Sequence, residues 1–125
     1  MRGVVLDTGV LIALERAKPR AISLVRVARA CGSPLHVLTA VLTEWWRTPS
    51  QALSIERMLT LHDLSPDLAR TAGAALGALR LGPDQTVYAM VMALAATLGS
   101  MVLTVDARDF RRLASAFPGV VVTTI

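Results

Sequence analysis

Val4–Glu15 reads VVLDTGVLIALE. The apolar, partly β-branched run Arg2–Leu6 has the length and composition of a strand buried on both faces. Asp7-Thr8-Gly9 interrupts it, and Val10–Glu15 continues with helical spacing. A strand that passes directly into a helix opens an alternating β/α chain. Lys18-Pro19 breaks the first helix, and Arg20–Cys31 reads as a second, with Leu24, Val27, Ala28 and Cys31 on one face and Arg26 and Arg29 on the other. That pattern makes Cys31 a core residue. Gly32-Ser33-Pro34 ends the helix before a short strand, Leu35–Leu38.

Leu38, Val41, Leu42 and Trp45 form the buried stripe of the next helix, which Thr39 is placed to cap. A loop around Pro49, a helix near Ser54–Met58 and a strand at Thr60–Leu64 follow. Ser65-Pro66 combines an N-cap residue with proline at the first helical position, opening a helix to about Arg80. Gly82-Pro83 stops it. Asp84–Leu98 has the clearest helical period, through Val87, Met90, Val91, Leu94 and Leu98, and Gly99 ends it. Met101–Thr104 is strand, Asp109–Ala116 helix and Val120–Thr124 the last strand. The expected fold is α/β: one domain over 1–125, a three-layer α/β/α sandwich around a short parallel sheet of about five strands. Sites in such sheets lie beyond the carboxyl ends of the strands. That rule points to Asp7 and to Asp106.

Bulk properties narrow the class. The 125 residues are 54% hydrophobic with a mean hydropathy of +0.55, yet no apolar run reaches the ~18 residues of a membrane helix. No basic–apolar–small leader precedes the first strand, so a cytoplasmic protein is expected. One cysteine excludes an internal disulfide and cannot hold zinc alone. Twelve of the thirteen basic residues are Arg, and the net charge is +4. Arg suits phosphate and a positive field attracts polyanions, although Ala- and Arg-rich chains also follow from GC-rich genomes.

Only nine acids are present, so each position carries weight. Asp7 and Asp106 follow strands, Asp84 starts a helix beside its buried stripe, and Glu44 falls on the flank of its helix, about 100° from the apolar centre. Two readings stay open. Each acid has a structural role available: Asp7 and Asp84 as caps, Asp106 with Asp109 as a capping box, Glu44 paired with Arg47. Jointly, four carboxylates can converge at one end of the sheet. Like charges about 4 Å apart repel by ~4 kcal/mol at an effective dielectric of 20, which a hard divalent cation such as Mg²⁺ or Mn²⁺ removes. His36 and His62, the only histidines, lie in strands and read as structural, which argues against zinc and His-based triads.

The opening stretch together with Glu44 in LTEWW, Asp84 before a helix of V-x-A-x-x-M-A type, and the strand ending LTVDARDF resembles the PIN-domain family. Its VapC-type toxins, from bacterial toxin–antitoxin pairs, are the nearest subgroup, and the resemblance spans essentially the whole chain. It implies a Mg²⁺- or Mn²⁺-dependent endoribonuclease with Asp7, Glu44, Asp84 and Asp106 as the acidic quartet. The metal ligands would be Asp7, Asp84 and Asp106. Asp109 matches a further acid of the motif, and Thr8 and Thr104 match hydroxyl positions lining such sites. Gly9 departs from the pattern, standing where relatives often carry Ser or Asn. An RNA substrate, a small cognate antitoxin and a homodimer are the implied partners. Arg16, Arg47, Arg108 and Arg112, with Lys18, Arg20 and Arg111, lie near these motifs in sequence as candidate phosphate contacts.

Other classes are weaker. Asp-Thr-Gly also opens the catalytic loop of aspartic proteases, but those are β-rich and pair two such loops, whereas this Asp enters an Ala-rich helical pattern. A phosphatase-like α/β hydrolase would need an acid two residues after Asp7, where Gly9 stands. A non-catalytic interaction module with structural acids is the alternative, motivated by Trp45-Trp46 and by the off-stripe Tyr88 and Met92.

Overall fold

The computed structural model describes residues 2–47 and 49–125, with Pro49 and Ser50 described in backbone alone. In chain order it has β1 (Val4–Leu6), α1 (Thr8–Glu15), α2 (Pro19–Ala30), β2 (Leu35–Leu38), α3 (Thr39–Trp45), α4 (Pro49–Glu56), β3 (Thr60–His62) and α5 (Pro66–Ala78). A 3-10 turn at Pro83–Gln85 leads into α6 (Thr86–Leu98), followed by β4 (Met101–Thr104), a 3-10 segment (Ala107–Ala116) and β5 (Val122–Thr124). The strands form one parallel sheet in the order β3-β2-β1-β4-β5. Val5 is in register with His36 on one side and Val102 on the other. This is the expected α/β sheet of five short strands.

Right-handed crossovers place α1–α4 on one face and α5, α6 and the 3-10 segment on the other, because the chain reverses its direction across the sheet after β3. Packing agrees: α1 meets α2, α3 and α4, whereas α6 meets α5 and the 3-10 segment. α6 lies against the middle of the sheet and buries Ala89, Val91, Met92, Ala93, Leu94 and Ala95. That set runs almost all round the helix, which is why Met92 looks off-stripe in sequence and is still core. Gly99 ends α6 with φ 64°, a left-handed cap that glycine adopts without strain. Ser65 caps α5 by accepting the Leu68 N–H at 3.1 Å.

Three sequence expectations change. α2 turns Ala21, Val25 and Ala28 inward, leaving Val27 62% exposed and Cys31 exposed. Two of the three buried positions are alanines, so close approach of the backbone, and not the bulkiest stripe, fixes the helix's rotation. Pro49 begins α4 where a loop was expected, using its pre-set φ at a helix start; Thr48 of that loop lies outside the described residues. Asp84 falls on the 3-10 turn and not in α6 itself. The two histidines pair as structural residues. His36 Nε2 contacts the Arg2 carbonyl at 2.8 Å and its Nδ1 lies 2.8 Å from His62 Nε2. If His36 donates to the carbonyl, its Nδ1 must accept from His62, which ties β1, β2 and β3 together at their edge. Among the described residues, no helix is long and apolar enough to cross a membrane.

Candidate functional site

All five strands point their carboxyl ends the same way, and the order reverses between β1 and β4, the crevice where open α/β sheets bind ligands. Asp7 leaves β1 at that point. Its backbone N–H donates to the Leu103 carbonyl at 3.0 Å, extending the β1–β4 ladder by one residue. Asp7 is the N-cap of α1 by backbone position, with no capping hydrogen bond from its side chain. The residue is only 5% exposed and lines the crevice.

Two hydroxyls organise the acids. Thr104, fully buried at the end of β4, donates to Asp7 Oδ2 at 3.1 Å and accepts the Asp106 N–H at 3.2 Å. Thr8 donates to Glu44 Oε1 at 2.6 Å, linking the first turn of α1 to the last turn of α3. Asp7, Thr8, Glu44, Arg47 and Asp109 line one cleft of about 390 Å³ together with Gly9, Tyr88 and Val105. Burial pushes the Asp7 carboxyl above its ordinary value, and the Glu44 and Asp109 charges add to the shift. The Thr8 N–H and the Thr104 hydroxyl pull the other way without cancelling it.

Sequence reasoning gave Tyr88 no part in the site. Its ring stands edge-on to buried Phe110, centroids 5.0 Å apart, so it is fixed beside Asp109 in the cleft. Burial and then the Asp109, Asp7 and Glu44 carboxylates raise its pKa. The signal available in sequence was an aromatic lying off the stripe near the start of α6. Gly9 is explained by Val105: a Cβ at position 9 would sit 2.5 Å from Val105 Cγ2.

Asp84 and Asp106 do not line the cleft. Asp84 is exposed on its 3-10 turn, with Oδ1 beside Gly82. Asp106 caps the 3-10 segment by accepting the Arg108 N–H at 3.0 Å, and the Arg108 guanidinium grips both of its oxygens, at 2.7 Å for the shortest contact. The Arg108 side chain, then its N–H, lowers the Asp106 pKa to about 2. Of the candidate phosphate contacts, Arg47 lines the cleft, Arg108 is engaged with Asp106, and Arg16 and Arg112 are exposed elsewhere on the surface.

The cleft's donors are carboxylate and hydroxyl oxygens, the chemistry that Mg²⁺ and Mn²⁺ prefer. Burial first, and the Glu44 and Asp109 charges after it, hold Asp7 above its ordinary pKa, and a cation would favour the ionised form that both disfavour. Among the described residues, no three acidic, histidine or cysteine side chains stand close enough to chelate an ion as they are. The donor set suits the cation in kind, and Asp109 or Glu44 would have to swing a rotamer toward Asp7.

No family model matches this chain, and no curated protein matches it in sequence. Solved structures do share its fold. A chain of VapBC2 from Rickettsia felis, crystallised on a DNA fragment from its promoter, superposes with a TM-score of 0.78 at 13% identity, over 98% of each chain. A chain of DNA-bound VapBC from Salmonella typhimurium superposes with a TM-score of 0.73 at 22% identity, over 99% of this chain and 98% of that one. The fold expected from the sequence resemblance is therefore the fold observed, end to end.

Proposed function

We propose that this protein is a divalent-cation-dependent endoribonuclease and the toxin of a toxin–antitoxin pair. The observation that carries the reading is the buried Asp7 carboxylate, held open to the crevice at the sheet's switch point with Glu44 and Asp109 lining the same cleft. The fold shared with VapBC chains supports it.

Asp7 and Asp109 are the cleft acids that would hold Mg²⁺ or Mn²⁺, with Glu44 beside them. When bound, the cation supplies Lewis-acid activation of water and neutralises charge on the phosphodiester. Thr104 fixes the Asp7 rotamer through Oδ2. Glu44, held by Thr8 at one oxygen, keeps its other oxygen to orient the attacking water and accept its proton. Arg47 is placed to take a non-bridging phosphate oxygen, and Tyr88 offers a hydroxyl donor beside Asp109. Asp84 and Asp106 belong to the proposal as acids that would turn inward on binding, Asp106 by leaving Arg108. Attack by water does not use the ribose 2′-OH, so the expected products carry 5′-phosphate and 3′-hydroxyl ends.

A small antitoxin and a homodimer are the proposed protein partners. The apolar cleft of about 590 Å³ lined by Leu42, Trp46 and Leu53 also favours an interaction module whose acids are structural. RNA cleavage and Mn²⁺ calorimetry on wild type and Asp7→Asn separate the two. The nuclease reading expects cleavage in Mg²⁺ that EDTA and Asp7→Asn both abolish, with a saturable Mn²⁺ site lost in the variant. Wild-type protein that shows neither cleavage nor a Mn²⁺ site would leave the interaction module standing.

A further inference from the structure

The acid cleft does not end at Val105. That residue, 47% exposed, also lines a second cleft of about 420 Å³ whose other walls include Lys18, Pro19, Arg20 and Ile125. The volume falls in the roughly 300–1,000 Å³ range in which single small ligands bind. Pro19, Arg20 and Ile125 in turn line a third cleft, against α2 and β5. The three hollows form one furrow, joined by shared residues, along the carboxyl edge of β1, β4 and β5.

Charge is sorted along it. Asp and Glu side chains line only the first hollow, and Lys18 and Arg20 are the charged side chains lining the second. Both cations are exposed, and neither makes an ion pair among the described residues. A hollow with a cationic rim, an apolar floor of Pro19, Val105 and Ile125 and no acidic side chain complements a nucleotide, with phosphates outward and sugar or base edge inward. An acidic peptide would match the cationic rim in charge as well, but the Val105 wall shared with the acid cleft sets the hollow one step from the point where the proposed reaction cuts a phosphodiester, which favours the nucleotide.

We infer that the hollow beyond Val105 seats the nucleotide flanking the scissile phosphate of a single-stranded RNA, with Lys18 and Arg20 on its phosphates. The inference rests on the nuclease reading and adds the direction in which the strand leaves the acids. The hollow has no aromatic side chain, so it grips backbone and sugar without stacking a base, and recognition there is tolerant of sequence.

The test measures binding of a labelled single-stranded RNA in EDTA, where no cleavage occurs, as a function of salt. Each phosphate contact to a single strand contributes about 0.7 to the slope of log K against log salt. Lys18→Ala/Arg20→Ala should lower that slope by about 1.4, with roughly tenfold or greater weakening at low salt. Arg26→Ala/Arg29→Ala makes the same charge change on an exposed part of α2 outside the furrow and should leave slope and affinity near wild type. Equal losses in both variants would mean diffuse attraction and overturn the inference, as would an unchanged slope in the first. An unchanged slope with weakened binding of a protein partner would assign the hollow to that partner instead. Wild-type protein that cleaves RNA in Mg²⁺ while Lys18→Ala/Arg20→Ala binds normally would refute the furrow alone. Wild type that neither binds nor cleaves RNA would refute the nuclease reading and the furrow with it.

Discussion

Thr104→Val isolates the hydroxyl on which the acid cleft is hung. Valine keeps the shape of a fully buried side chain at the end of β4, so the substitution opens no cavity. It removes the donor to Asp7 Oδ2 at 3.1 Å and the acceptor of the Asp106 N–H at 3.2 Å. A hydrogen bond to a charged group contributes about 1.5–3 kcal/mol, and a neutral one nearer 1 kcal/mol. The summed loss near pH 7 is about 2–3 kcal/mol after the small apolar gain, a large fraction of a typical ~5–15 kcal/mol. The loss depends on pH with a definite sign. Burial already raises the folded-state Asp7 pKa above 3.8, so ionised Asp7 opposes folding and the unpenalised state exists below that value. Thr104 offsets part of the penalty, so its removal raises the folded-state pKa further. The variant's deficit is therefore least at pH 3.5, about 1 kcal/mol, and grows as pH rises through the Asp7 titration. Urea unfolding at pH 3.5 and pH 7 measures both values. Equal deficits at the two pH values would show that Thr104 does not bear on the Asp7 charge, and the account of the cleft's electrostatics would fail.

Two further perturbations probe features the sequence left unexplained. Gly9→Ala gains up to about 1 kcal/mol of helix propensity in α1 but drives a Cβ to 2.5 Å from Val105 Cγ2, which costs ~1 kcal/mol if Val105 leaves its rotamer. The single variant should sit within about 1 kcal/mol of wild type, and the same change in a Val105→Ala background should stabilise by roughly 0.5–1 kcal/mol; strictly additive urea midpoints would deny the contact. His62 has its pKa lowered by burial and by His36, so its contribution is present above about pH 6.5 and lost as pH falls toward the folded-state value. Stability should drop between pH 7.5 and 5.5 in wild type and drop less in His62→Gln, and parallel curves would exclude the pair as the cause.

What could be read from the sequence, and what could not, divides along a physical line. β1, β2, β4 and α6 announce themselves because their burial is decided by apolar side chains at fixed periods, and Ser65-Pro66 because a cap is a local hydrogen bond. The rotation of α2 was misread because Ala21 and Ala28 are buried for their smallness, a property of the facing surface that no period in the helix records. The acids show the same division. Asp7 and Glu44 were legible because a strand end and a helix flank fix where a Cα points. Asp106 caps the 3-10 segment that carries Asp109 three residues on; the Arg108 guanidinium holds Asp106, while Asp109 lines the cleft beside Tyr88. A guanidinium on an exposed carboxylate is a weak hold in solvent, whereas the Thr104–Asp7 contact is buried and rigid. The cleft is thus built from a fixed acid at the sheet and adjustable acids around it. On the proposed nuclease reading such a site would order fully only when a cation enters, and the cation's affinity would then register the rearrangement of Glu44, Asp109 and Asp106 as well as the charge of Asp7.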